Sequence, residues 1–94
     1  MIYHLDFETF SKADLKNWGA YRYAADASTE ILLCAIARHG EDPLLWSVTG
    51  QPEKPKALVL LKEMSEDPGA VIYAHNAQFE AAVARYLWQD TFGL

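Results

Sequence analysis

Residues 30 to 38 read EILLCAIAR, with an unbroken apolar run from Ile31 to Ala37. The run has strand length and falls far short of the roughly 18 apolar residues that a membrane span needs. A short segment that is apolar on every side reads as a central strand buried on both faces. A chain carrying such a segment must therefore supply other strands beside it and helices to cover it.

The rest of the sequence offers both. Met1 to Phe7 alternates: Met1, Tyr3, Leu5 and Phe7 face one way, and Ile2, His4, Asp6 and Glu8 face the other. HGEDP (residues 39–43) is a turn and LLWSV (residues 44–48) a third strand, so residues 30–48 form a hairpin. TGQPEKP (residues 49–55) is a linker. From Ala57 to Ser65 the apolar residues Leu58, Leu61 and Met64 recur at helical spacing, and EDPG stops that helix. AVIYA (residues 70–74) is a short buried strand. Asn76 to Gln89 forms a second helix with Phe79, Val83, Tyr86 and Leu87 along one stripe.

The segment SKADLKNWGAYRYAADAST (residues 11–29) has no clean period. It reads as an ordered loop pinned by Trp18, Tyr21 and Tyr23. Ser11 with Asp14 can cap a short turn within it, which Gly19 would end. The expected fold is thus a single α/β domain over residues 1–94, in the order β-β-β-α-β-α. The closing DTFGL carries no clear stop signal, and the fourth strand has no further partner. The chain therefore reads as a truncated sheet whose exposed edges favour self-association.

Composition narrows the classes of function. With 51% hydrophobic residues and 13% aromatic, the 94-residue chain is too apolar for disorder. No membrane segment is expected, and the start MIYHLDFET lacks the layout of a secretory signal. Cys34 is the one cysteine. It reads as a buried small hydrophobe in a reducing, cytoplasmic setting. A net charge of −5 argues against binding nucleic acid through Lys and Arg alone. It leaves room for an enzyme whose metal ions bring the positive charge.

Asp6 and Glu8 share a strand face. Two carboxylates there repel each other and lose hydration at the edge of a core, so something must compensate. Downstream, in YAHNAQFEAAV, a strand ends at Ala74 and a helix begins near Asn76, which places Asn76 and Glu80 one turn apart on one face. Taken singly, Asn76 is most simply an N-cap, Glu80 a solvated helix residue and His75 a hydrogen-bonded structural group.

The combination is more specific. LDFET, followed about 70 residues later by AHNAQFE at a strand-to-helix junction, resembles the first two motifs of the DEDD superfamily of 3′–5′ exonucleases. GAYRYAADASTEILLCAIA and the LW strand resemble the exonuclease domain at the amino end of some phage family A DNA polymerases. That resemblance implies a ribonuclease H-like mixed sheet flanked by helices. It implies a two-ion site for Mg²⁺ or Mn²⁺ on the catalytic acids Asp6, Glu8 and Glu80. It also implies that the Thr9 backbone and Asn76 position the 3′ end of single-stranded DNA. Glu80 stands where most members carry Asp, one methylene shorter.

A third motif, Tyr or His near a fourth acid, is expected on a later helix. Tyr86 and Asp90 in YLWQD fit the string, but on one helix Asp90 would lie about 15 Å beyond Glu80, too far to share an ion. The resemblance therefore implies the amino-terminal part of an exonuclease, weak or inactive alone, whose partner would be a missing carboxyl-terminal exonuclease or polymerase region. The alternative is a non-catalytic prophage remnant acting as a binding or structural module.

Overall fold

The computed structural model describes residues 1–50 and 53–94. In chain order it contains β1 (Ile2–Phe10), α1 (Leu15–Ala25), β2 (Glu30–Arg38), β3 (Leu44–Ser47), α2 (Lys54–Glu66), β4 (Val71–Tyr73) and α3 (Ala77–Phe92). The strands form one mixed sheet in the order β3-β2-β1-β4. β1 is antiparallel to β2, β2 is antiparallel to β3, and β1 is parallel to β4. The chain is a small α/β domain with one helix more than the patterning predicts. Among the described residues no helix is long and apolar enough to cross a membrane.

The extra helix is α1, in the segment expected to be a loop. Its cap is Asp14, not Ser11: the Asp14 carboxylate accepts from the Asn17 backbone N–H at 3.3 Å and from the Asn17 amide at 2.6 Å. Gly19, at φ 80° and ψ 168°, interrupts the helix after its first turn, as expected of a turn-ending residue. Only Tyr23 and Ala24 are buried in α1, so no apolar stripe exists to be read. Trp18 and Tyr21 are exposed, the Trp18 ring lying under the Arg22 guanidinium at 5.0 Å, whereas the hydroxyl of the buried Tyr23 shares a 2.9 Å hydrogen bond with Thr9 Oγ1. Ser11 instead joins a hydroxyl cluster with Ser28 and Thr29 below the start of β2.

The core lies on one face of the sheet. Tyr3, Leu5 and Phe7 of β1 meet Ile31, Cys34 and Ile36 of β2 and Trp46 of β3. The spacing of the β2 residues breaks simple alternation because of a bulge. Glu8 lies opposite Leu33 but Thr9 lies opposite Ile31, so Leu32 is the extra residue and Ile31 returns to the core face. Cys34 is fully buried, which pushes its thiol pKa up to about 12. On the other face Leu33 and Ala35 are only half-buried, so β2 is not covered equally on both sides as its composition suggests.

α2 begins before Ala57 because Pro55 sits in its first turn, where the missing N–H breaks no hydrogen bond. Part of the expected linker, Gln51 and Pro52, lies outside the described residues. Ala57, Leu60, Leu61 and Met64 are the buried face of α2, so the stripe is centred beside Leu58 rather than on it. Each large side chain buried this way contributes roughly 1.5–3 kcal/mol. α3 continues to Phe92, whose ring packs 5.0 Å from Trp46 and from Trp88. Gly93, at φ 72°, then supplies the left-handed stop not recognised in DTFGL. Tyr86 is exposed rather than part of the apolar stripe.

β4 also departs from expectation. Val71, Ile72 and Tyr73 are all exposed, because β4 is a three-residue edge strand paired only with β1. Across the sheet, α2 is tied to β1 and β2 by a polar network. Arg38 grips Glu63 through two nitrogens, at 2.9 and 2.6 Å, and the Tyr3 hydroxyl donates to Glu63 and Asp67.

Candidate functional site

β1 carries the first two acids. Asp6 and Glu8 stand on the face opposite the core, across from Ala35 and Leu33, and both are exposed. β4 pairs with β1 only from Ile2 to His4. Beyond that point no strand among the described residues lies along the β4-side edge of β1, and the Phe7 N–H must find another acceptor.

α3 supplies it. Asn76 is the N-cap, its side-chain oxygen accepting from the Phe79 N–H at 3.3 Å. The cap fixes the first turn of α3, and that turn aims Glu80 at the free edge of β1. Glu80 Oε1 accepts from the Phe7 N–H at 3.4 Å. Glu80 is not a solvated helix residue: it is 5% exposed, and its Oε2 is buried without a hydrogen-bond partner among the described residues. Burial is the main cause that pushes the Glu80 pKa up. The hydrogen bond from Phe7 opposes this, and the neighbouring Asp6 carboxylate adds to it.

The structure thus brings Asp6 and Glu80 together at one point on the β1 edge. Two grooves meet there. One, of about 260 Å³, is lined by His4, Asp6, Ala35, Tyr73 and His75 among others. The second, of about 270 Å³, is walled by Ile72, Ala77, Glu80, Ala81 and Ala84, and Leu5 and Ala74 line both. Glu8 lies two residues further along β1, away from this junction. Among the described residues no group of three or more His, Cys, Asp or Glu side chains is arranged to hold a metal ion.

The remaining expected residues are placed as follows. Thr9 turns its side chain to the core face and to Tyr23. Asn76 keeps its amide nitrogen beyond the cap it makes with its oxygen. His75 is exposed at the rim of the first groove. Asp90 lies ten residues beyond Glu80 on the unbroken α3, beside Asp26 and Glu30, and takes no part in the site. A contact between His4 and His39 was not foreseen from sequence. His4 Nε2 and His39 Nδ1 lie 2.9 Å apart, and only the register of β1 on β2 reveals it.

The chemistry available is that of hard oxygen donors. A buried carboxylate oxygen with no donor, beside a second carboxylate, suits a divalent cation such as Mg²⁺ or Mn²⁺. Neither family models, nor curated proteins, nor solved structures give a match to this chain.

Proposed function

We propose that this domain is the amino-terminal part of a metal-dependent 3′–5′ exonuclease of the DEDD type, with a ribonuclease H-like fold, acting on the 3′ end of single-stranded DNA. The observation that carries the reading is the unpartnered Oε2 of Glu80, in a buried carboxyl that has Asp6 as its charged neighbour. A buried carboxylate kept for structure would be paired, because leaving it unsatisfied costs about 1–3 kcal/mol. Here the neighbour is another acid, which a bound divalent ion reconciles. The order of elements and the strand order, with β1 central and β4 parallel to it, support the same reading.

On this reading Asp6 and Glu80 would hold Mg²⁺ or Mn²⁺, and Glu8, on the same strand face as Asp6, would have to turn toward the ion to join them. When bound, the ions lower the pKa of a water and offset charge on the leaving oxygen. The protein residues orient the substrate: the Thr9 backbone and the free Asn76 amide flank the acids and would receive the terminal nucleotide. Among the described residues no fourth acid stands with Asp6 and Glu80, Asp90 being ten residues further along α3, so turnover by these residues alone is expected to be weak or absent. Glu8 standing apart from the Asp6–Glu80 pair favours a second reading, a module that binds nucleic acid or a partner without catalysis.

Metal binding is the first test. Mn²⁺ should raise the thermal midpoint of the wild type and leave Asp6→Asn unchanged. Digestion of end-labelled single-stranded DNA with Mn²⁺ should then show whether the site turns over, with loss of activity in chelator and in Asp6→Ala. Equal Mn²⁺ responses in wild type and Asp6→Asn would remove the exonuclease reading. Binding without turnover would favour the non-catalytic module.

A further inference from the structure

We propose that His4 and His39 form a second metal site, selective for borderline ions such as Zn²⁺, Ni²⁺ or Cu²⁺ and independent of the carboxylate pair. His4 lies opposite Ala37 in the β1–β2 register, so His39 is its diagonal neighbour. The His39 N–H donates to the Ile2 carbonyl at 2.9 Å, which fixes the backbone on which that ring stands. Both side chains are exposed, on the sheet face opposite the core.

The ring geometry is what points to a metal. His4 Nε2 and His39 Nδ1 are 2.9 Å apart, with the ring centroids at 5.2 Å and the planes inclined by 22°. With nitrogens that close and centroids that far, the rings meet edge to edge, not face to face. One nitrogen donates and the other accepts, so a single proton occupies the space between two in-plane nitrogens. Replacing that proton with an ion puts two imidazole lone pairs on one centre. A tetrahedral ion with bonds of 2.0–2.1 Å needs its nitrogens roughly 3.3 Å apart, a few tenths wider than they stand. Two exposed rings on a sheet surface can open by that much through small side-chain rotations. Tyr73, tilted against His4 with centroids 5.7 Å apart, limits the swing of that ring.

The donor set also decides which ions bind. Imidazole suits Zn²⁺, Ni²⁺ and Cu²⁺, whereas Mg²⁺ prefers oxygen. No third protein ligand is arranged with the pair among the described residues, so water completes the shell and leaves positions open. The net charge of −5 favours accumulation of cations generally, but only the paired nitrogens discriminate between them.

Zn²⁺ titration by calorimetry tests this. Wild type should bind one Zn²⁺ that excess Mg²⁺ does not displace. The Asp6→Asn/Glu80→Gln double variant should bind it with unchanged affinity. His4→Ala and His39→Ala should each weaken binding at least tenfold, while His75→Ala should not. Both histidines are exposed, so the variants are expected to fold, and His39→Gln provides a second probe that preserves polarity. Cu²⁺ electron paramagnetic resonance should show two coupled nitrogens in wild type and at most one in either His→Ala variant. Absence of Zn²⁺ binding, full binding by His39→Ala, or loss of binding in the carboxylate double variant would overturn the proposal.

Discussion

Glu80 Oε1 and the Phe7 backbone N–H are joined by a 3.4 Å hydrogen bond across 73 residues of chain. It is made because β4 stops short and leaves the edge of β1 without a strand partner. One carboxylate oxygen of Glu80 thus caps the edge of β1, and the other is buried without a hydrogen-bond partner among the described residues, with the Asp6 carboxylate close to the group.

The unpartnered oxygen should cost stability. A carboxyl whose folded pKa is raised contributes most below its unfolded value of 4.5, and that contribution is lost as pH rises through the folded value. Glu80→Gln keeps an acceptor for Phe7 and adds an N–H₂ donor toward Asp6. In metal-free urea unfolding it should be more stable than wild type at pH 7 by about 1 kcal/mol. The difference should disappear near pH 4, and added Mn²⁺ should reverse it.

The polar network between α2 and the sheet should give pH dependence of the opposite sign at the acid end. Hydrogen bonds from Arg38 and Tyr3 hold the Glu63 carboxyl below its usual range, and the Gly69 N–H does most to lower Asp67. Stability from these groups is fully present above the unfolded carboxylate range and is lost as pH falls through the folded values. Arg38→Gln should flatten that acid decline in thermal melts. At the alkaline end, burial and the two carboxylates push Tyr3 from 10.0 up to about 12. Stability should therefore fall as pH rises between those values, and less steeply in Tyr3→Phe.

Asn76 has a capping role that can be separated from contact with nucleic acid. Asn76→Ala should cost about 1 kcal/mol, whereas Asn76→Asp preserves the cap and should be nearly neutral in stability. If the amide nitrogen contacts substrate, Asn76→Asp should weaken single-stranded DNA binding in a fluorescence titration while leaving the melting temperature in place.

Leu61 is fully buried where α2 meets the sheet. Leu61→Ala should lose about 3 kcal/mol in urea unfolding. Val59, two residues earlier and 68% exposed, should lose almost nothing on the same change.

The strands and two of the helices were legible because alternation and helical periodicity follow directly from which faces are buried. α1 was not, since its helical turns depend on the Asp14 cap and bury only Tyr23 and Ala24. The apolar AVIYA reads as a strand, but composition cannot say that Val71, Ile72 and Tyr73 stay exposed at the sheet edge. Asp6 and Glu8 stand out as two acids on one strand face, whereas Glu80 joins them only through the resemblance of LDFET and AHNAQFE to exonuclease motifs. The contact of Glu80 with Phe7 depends on where β4 ends, and the His4–His39 pair depends on register. Neither leaves a trace in the local sequence.

The parallel pairing of β1 with β4 has a kinetic consequence. β2 and β3 are joined by a short turn and β1 reaches β2 across residues 11–29, whereas β4 returns to β1 from much further along the sequence, Ile2 pairing with Val71, an entropic cost that nearer pairing avoids. The Asp6–Glu80 junction, at the end of that pairing, should therefore assemble late in folding and open early. Amide exchange should report this as rapid loss of protection at Val71 and Phe7 while Cys34 and Ile36 remain protected, so an ion at the junction would act as a latch on the last part of the molecule to close.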